Sequence, residues 1–410
     1  MKFVARPLSL PWQEKYVPVL AVSDTRLVVA AGNTCFIYGF SSESDSITPA
    51  VSFEAAYNMV RSDDGKEATA MHDITAIKFV PDNEGRKLLV GFADGVLIRV
   101  LLPEHQVMNS QHRSDLAPKL EHIYSGDDII KSLSTCKHHS LTLTGSGRVT
   151  FRSLSSDIYS EIHLHTKSWA SHISVESSPY AALGTTSPTP LAIYPITESS
   201  LSPLPATVLS SVSSGFANLS VQESSAVYGI CDPPITFPGA PGQLLIAGWY
   251  DGIVRLYDLR SPSSSPRFVD NQTHTTPVLR PVISMCDPWS TEPIYTVAAG
   301  GGEGHTVAAG SARHSVATIW DMRNTRNGWS VYAPGNDSSP VYSVIIEHSR
   351  LFGATQSRPF VLDFGPGVNE RTYPSIPHAG GRLNSALRTT DGIRYNVTAY
   401  QHRAPMINLM

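Results

Sequence analysis

Short apolar runs alternate with Gly-, Asp-, Pro- and Ser-rich breaks along this chain, and amphipathic helical stretches are nearly absent. Runs such as Thr75 to Val80 alternate apolar and polar positions with period two, the pattern of a half-buried strand. One pattern recurs: GWYDGIVRLYDLR from Gly248, GFADGVLIRVLLP from Gly91 and SARHSVATIWDMR from Ser311. Each reads as a strand, a tight turn and a returning strand. Four further segments align with the returning strand: CFIYGF from Cys35, VTFRSL from Val149, LAIYPI from Leu191 and PFVLDF from Pro359.

The third apolar positions of these strands are Ile37, Ile98, Phe151, Ile193, Leu256, Ile319 and Val361, with steps of 61, 53, 42, 63, 63 and 42 residues. A four-stranded propeller blade takes about 40–45 residues. The short steps equal one blade, and the long ones equal one blade plus a loop. The chain is therefore expected to be all-β, a seven-bladed β-propeller of four-stranded blades.

The units are expected at Tyr16 to Phe40, Ile74 to Leu101, Ile129 to Leu154, His172 to Ile196, Val227 to Arg260, Val282 to Arg323 and Val341 to Phe364. An outer strand at Val51 to Ala55 completes the first. Phe3 to Leu8 reads as a lone strand that completes the last blade and removes its free edge. One propeller domain thus spans 1–364, with a Ser-rich insertion at 199–225 that carries a strand near Thr207 to Leu209. A C-terminal extension covers 365–410, with a strand-like run from Ile393. The polar stretch from Arg61 reads as a loop. AAGGGEGHTVAAG from Ala298 reads as a flexible linker, because it lacks the Lys-Ser/Thr step of a phosphate loop and no helix pattern follows.

Composition sharpens this picture. The chain has 410 residues, 41% of them apolar, with 30 Pro and 29 Gly to supply turns. Its net charge of −4 gives no bulk attraction for nucleic acid or an anionic membrane, so neither partner is expected. No apolar run has signal-peptide or membrane-span length. Cys35, Cys136, Cys231 and Cys286 lie far apart and read as reduced core thiols. N-x-S/T triplets at Asn218, Asn271, Asn336 and Asn396 read as chance matches. The expected location is cytoplasmic or nuclear.

Taken together, these residues resemble a WD-repeat β-propeller over Phe3 to Phe364. The resemblance implies a turn Asp between second and third strands, matched by Asp94 and Asp251, and a Trp-Asp pair ending a third strand, matched by Trp320-Asp321. His72 lies near the family's Gly-His position, with Met71 in place of the Gly. All four matched side chains are expected to be structural: the carboxylates accept from exposed turn amides, and Trp320 packs between blades. The divergent repeats further resemble F-box/WD substrate receptors of ubiquitin ligases, which implies ubiquitin-ligase components as partners. Such receptors carry a helical F-box upstream of the propeller, whereas Met1 here opens almost directly onto the first strand.

No catalytic constellation is legible. There is no G-x-S-x-G elbow, no H-E-x-x-H and no Cys/His cluster at metal spacing. His138-His139 is a poor chelate because adjacent strand residues point to opposite faces. The expected inner strands are apolar apart from Lys78, Lys131, Asp232, Asp287 and Glu347, and Cys231-Asp232 echoes Cys286-Asp287 as an equivalent strand end. The expectation is a non-catalytic protein-interaction scaffold or adaptor without cofactor or metal, read first, on the F-box/WD resemblance, as a substrate-recognition propeller linked to a ubiquitin ligase. A scaffold subunit of a trafficking, nuclear or assembly complex is the alternative, and a propeller enzyme the remote one. The binding residues expected on the hairpin face are Trp249, Tyr250, Arg358, Arg313, His314 and Phe92, because Trp, Tyr and Arg dominate interface hot spots.

Overall fold

The computed structural model describes residues 3–40, 51–59, 72–82, 84–104, 117–156, 158–176, 178–197, 200–211, 224–234, 236–237, 241–261, 268–269, 275–301, 304–334, 338–366, 368, 373 and 399–403. The loop from Arg61, the four Asn triplets and residues 212–223 of the Ser-rich stretch lie outside them, as does 374–398 of the C-terminal extension.

Among the described residues all regular structure is strand. β1 (Val4–Pro7) stands alone in sequence. β2 (Val19–Val22), β3 (Arg26–Ala31), β4 (Thr34–Phe40) and β5 (Val51–Asn58) form one antiparallel sheet in chain order. β6 (Ile74–Phe79), β7 (Lys87–Phe92), β8 (Val96–Leu101) and β9 (Lys119–Ser125) form the next. β10 (Ile130–Cys136), β11 (His139–Thr144), β12 (Arg148–Ser153) and β13 (Tyr159–His163) form a third.

The following strands are β14 (Ser168–Ser174), β15 (Tyr180–Ser187), β16 (Leu191–Thr197), β17 (Ser200–Leu201), β18 (Thr207–Leu209), β19 (Ser225–Cys231), β20 (Leu244–Trp249), β21 (Ile253–Asp258), β22 (Phe268–Val269), β23 (Thr275–Thr276), β24 (Val278–Leu279) and β25 (Ile283–Cys286). Apart from the small β22–β23 ribbon they share a ten-stranded sheet, because Thr186 and Ser187 of β15 pair with Ala226 and Ser225 of β19. β26 (Ile294–Gly300), β27 (Thr306–Ser311), β28 (Val316–Asp321) and β29 (Asn327–Tyr332) take a fifth strand from the C-terminal extension, β33 (Ala399–Arg403). Finally β30 (Val341–Glu347), β31 (Arg350–Thr355) and β32 (Pro359–Asp363) receive β1, paired from Val4↔Asp363 to Pro7↔Phe360. The expected closure by the first strand is thus present.

The fold is β-propeller-like: antiparallel sheets stand side by side, each burying both faces. Alternation supplies the cores. Leu88, Val90 and Phe92 of β7 face Val28, Ala30 and Ile37 of the preceding sheet, while Leu89 faces Ile130 and Leu133 of the following one. The last sheet meets the first in the same way, through Phe352, Ala354 and Val361 against Leu20, Leu27, Val29 and Tyr38. The inner strands β2, β6, β10, β14, β19, β26 and β30 touch in that order, and β30 returns to β2. They surround a central channel.

Close approach near the axis is set by small residues and hydroxyls. At Gly248 a Cβ would lie 2.5 Å from the Ile294 side chain, and at Gly310 it would lie 2.7 Å from the Val341 carbonyl oxygen. Gly91 against Ile130 and Gly184 against Val227 repeat the arrangement. Hydroxyls then stitch neighbouring inner strands. Thr75 donates to the Ile130 carbonyl (2.6 Å) and Thr135 to the Phe79 carbonyl (2.8 Å). Ser132 and Ser134 accept from the Ser171 and Ile173 amides.

Three expectations are corrected. The run from Val282 is not the inner strand of the sixth unit: β25 pairs with β21 as the outer strand of the sheet before it. The inner strand is β26, which pairs with β27 from Ile294↔Ser311 to Gly300↔Thr306. Most of the supposed linker from Ala298 is therefore strand. Cys231 and Cys286 consequently end different kinds of strand, one inner and one outer.

Two outcomes test this account. Deleting residues 1–9 should lower the melting temperature and promote aggregation through the bared edge of β32; an unchanged melt and monomeric sedimentation would refute the closure. Gly310→Ala should cost about 1–3 kcal/mol in denaturant titration, because the backbone opposite cannot withdraw like a side chain.

Candidate functional site

Each inner strand except β2 carries a register shift at its first step, at Ile74/Ala76, Ile130/Ser132, Ser168/Ala170, Val227/Gly229, Ile294/Thr296 and Val341/Ser343. A bulge leaves one extra residue unpaired and re-aims its side chain. The extra residues are Thr75, Lys131, Trp169, Tyr228, Tyr295 and Tyr342. All lie at one end of the channel, since the residues before them pair with the last residues of the second strands, just ahead of the hairpin turns.

Four of them form a continuous aromatic row. The Trp169 and Tyr228 rings meet edge-on at 5.0 Å, Tyr228 and Tyr295 at 5.4 Å, and Tyr295 and Tyr342 at 6.0 Å. Tyr250, on the β20–β21 turn, adjoins Tyr228 at 6.4 Å and is 55% exposed. Trp289, on the segment leading into β26, is 77% exposed at the same end. The four row residues are half-buried. At its first end, the indole N–H of Trp169 donates to the Thr186 hydroxyl at 2.7 Å, which fixes the ring. Burial raises the Tyr228 hydroxyl pKa, with Tyr295 and Tyr250 adding to the rise.

The sequence-chosen binding residues divide. Tyr250, Arg313 and His314 are exposed on turns at this end, with Arg313 3.6 Å from Glu292. Trp249, Phe92 and Arg358 are corrected: they are 0%, 1% and 8% exposed. Trp249 is the last strand residue before its turn, so it continues the inward alternation of Leu245 and Ala247 and packs on Tyr257, Tyr180 and Val227. The Arg255 guanidinium covers its ring at 5.1 Å. Phe92 ends β7 in the same phase. Arg358 is folded inward where its carbonyl accepts the Thr355 amide.

Asp94, Asp251, Trp320 and Asp321 are all engaged within the fold. The Asp94 and Asp251 carboxylates accept from the Val96 and Ile253 amides at 3.1 and 3.2 Å, and Gly95 and Gly252 follow at positive φ. Asp251 also grips Arg255 through two bonds of 2.9 and 2.6 Å, and Asp94 lies 3.5 Å from His72. Trp320 is buried in the core between β20–β21 and β27–β28. Asp321 accepts from the Arg323 backbone and side chain, which holds its carboxyl low.

Polar residues of the channel wall are mostly committed. Asp232 lies 3.2 Å from His172 Nε2. Burial of Asp232 opposes ionisation, but the adjoining His172 and Lys78 bring its carboxyl below the usual range. Lys78 opens toward Asp232 from β6, and the crowding channel walls lower its basicity. Glu347 is bound by Arg350 at 2.6 Å. Asp287 is not on the channel wall: it follows the outer strand β25 and, buried, accepts from Ser330 of β29 and from the Trp289 amide. His139 stacks on Phe151 and His138 stands in the turn before it. Among the described residues no helix is long and apolar enough to cross a membrane.

No family model matches the chain, and no curated protein matches it. Among solved structures, a computationally designed protein, Ika8, is similar at a TM-score of 0.52 and 13% identity, over 88% of this chain and 100% of that one. The likeness concerns fold alone.

Trp249→Ala should destabilise by about 3–5 kcal/mol, whereas Tyr250→Ala should stay within about 0.5 kcal/mol. Equal losses in a urea titration would overturn the division between core and face.

Proposed function

We propose that this chain is a non-catalytic recognition module, a ring of seven four-stranded blades of the WD-repeat kind, which holds a protein or peptide partner across the hairpin end of its channel. The aromatic row from Trp169 to Tyr342 carries this reading. A propeller needs only small or hydroxyl side chains at these bulges, as Thr75 illustrates. Four successive aromatics exceed that need, and half-exposed aromatic surface gains most when a partner covers it. The cyclic order of the inner strands and the apolar contact of the last sheet with the first support the count of seven.

The test is quantitative affinity purification with wild type, Trp169→Ala, Tyr228→Ala and Tyr295→Ala, and a control, Ile158→Ser, at the opposite end of β12–β13. Each row variant should melt near wild type yet lose the same partners, and the control should keep them. Partners that survive every row variant but not the control would place recognition at the other end.

A further inference from the structure

The aromatic row ends in two lysines. Lys131 is the bulge residue of β10, and Lys167 precedes β14. Their ammonium groups lie 5.6 and 4.5 Å from the centroid of the same Trp169 ring. Among the described residues neither has an ion-pair partner within 4.0 Å. The nearby acids are committed: Asp128 accepts the Ser146 amide at 2.7 Å, and Asp127 pairs with Arg148 at 3.3 Å. Burial lowers the basicity of Lys131, Lys167 lowers it further, and Asp128 only partly offsets them. Two like charges therefore flank one ring with a surplus of positive charge.

Accepting that the row is a recognition surface, we propose that its partner is an extended peptide whose acidic side chain seats between Lys131 and Lys167, with apolar or aromatic side chains following along Tyr228 and Tyr295. Charge complementarity selects the anion: it would relieve the repulsion between the lysines, and it would sit against the ammoniums, since the face of the indole repels negative charge. Spacing selects the extended chain. Alternate side chains of a strand lie about 6.5–7 Å apart, close to the 5.0–6.0 Å steps of the row. The anchor is a carboxylate or a phosphate ester, which share the chemistry the lysines recognise.

A displayed library of degenerate twelve-residue peptides provides the experiment. Wild type should enrich sequences with an acidic residue two to four positions from an aromatic or aliphatic one. Exchanging that acid for Gln should weaken a synthetic consensus peptide at least about tenfold, and Lys131→Gln/Lys167→Gln should reproduce the loss without altering the melt. Lys131→Glu/Lys167→Glu should shift enrichment toward basic residues. Glu and phosphoserine versions of the peptide then identify the anchor. Peptides that need Tyr228 and Tyr295 but show no acidic preference, or that ignore both lysine variants, would overturn the acidic anchor and leave the recognition surface standing. An absence of row-dependent peptides, or displacement of all of them by a thymidine oligonucleotide that itself needs the row, would overturn both.

Discussion

The structure depends on how closely the sheets approach one another beside the axis. Flat faces that splay outward must nearly touch at their inner edges, and there is no room for ordinary side chains. Gly91, Gly184, Gly248 and Gly310 answer this by presenting bare backbone to a residue near the start of the next inner strand. Hydroxyls of Thr75, Ser132, Ser134 and Thr135 answer it again, since they bond the neighbouring backbone at distances a larger residue would forbid. The same crowding accounts for the bulges. An inner strand that gains one residue at its start twists more sharply into the ring and turns the added side chain toward the channel mouth. The aromatic row is thus built on a position that the packing created.

Acidic side chains follow a common rule around the molecule. Asp94, Asp251, Asp258 and Asp321 each bind an amide two residues on, and the last three also hold an arginine. These pairs satisfy turns locally and leave little charge to act at a distance. Against that background the lysines beside Trp169 are conspicuous, as among the described residues no such pair meets their charge.

Much of the fold was legible in the sequence. Period-two alternation and the repeated Asp-Gly turns located the third strands, and the lone strand at Val4–Pro7 did close the last sheet. The site was legible only in outline. Placing recognition at the hairpin end pointed to the end where the row lies, but Trp249 and Phe92 were misread because a residue beside a turn still obeys strand phase. The row itself was missed for two reasons. Its equivalence is hidden by a change of residue type from Thr75 through Lys131 to Trp169. Its member Tyr295 sat in a run passed over when the Cys-Asp echo drew the sixth inner strand to Val282. Aligning VYGI, IYTV and VYSV with SWAS would have exposed it.

The pairing of β1 with β32 also orders events during synthesis. β1 leaves the ribosome early, and its partner is made about 350 residues later, on the order of tens of seconds at ordinary translation speeds. Most strands of the sheets between them can pair as they emerge, because they are close in sequence, although the β26–β29 sheet takes β33 last. The ring, however, cannot shut until the end. For that interval Ala5 and Pro7, buried in the finished molecule, have no apolar wall to rest on. The nascent protein is therefore an open arc with two exposed edges until β32 has been made.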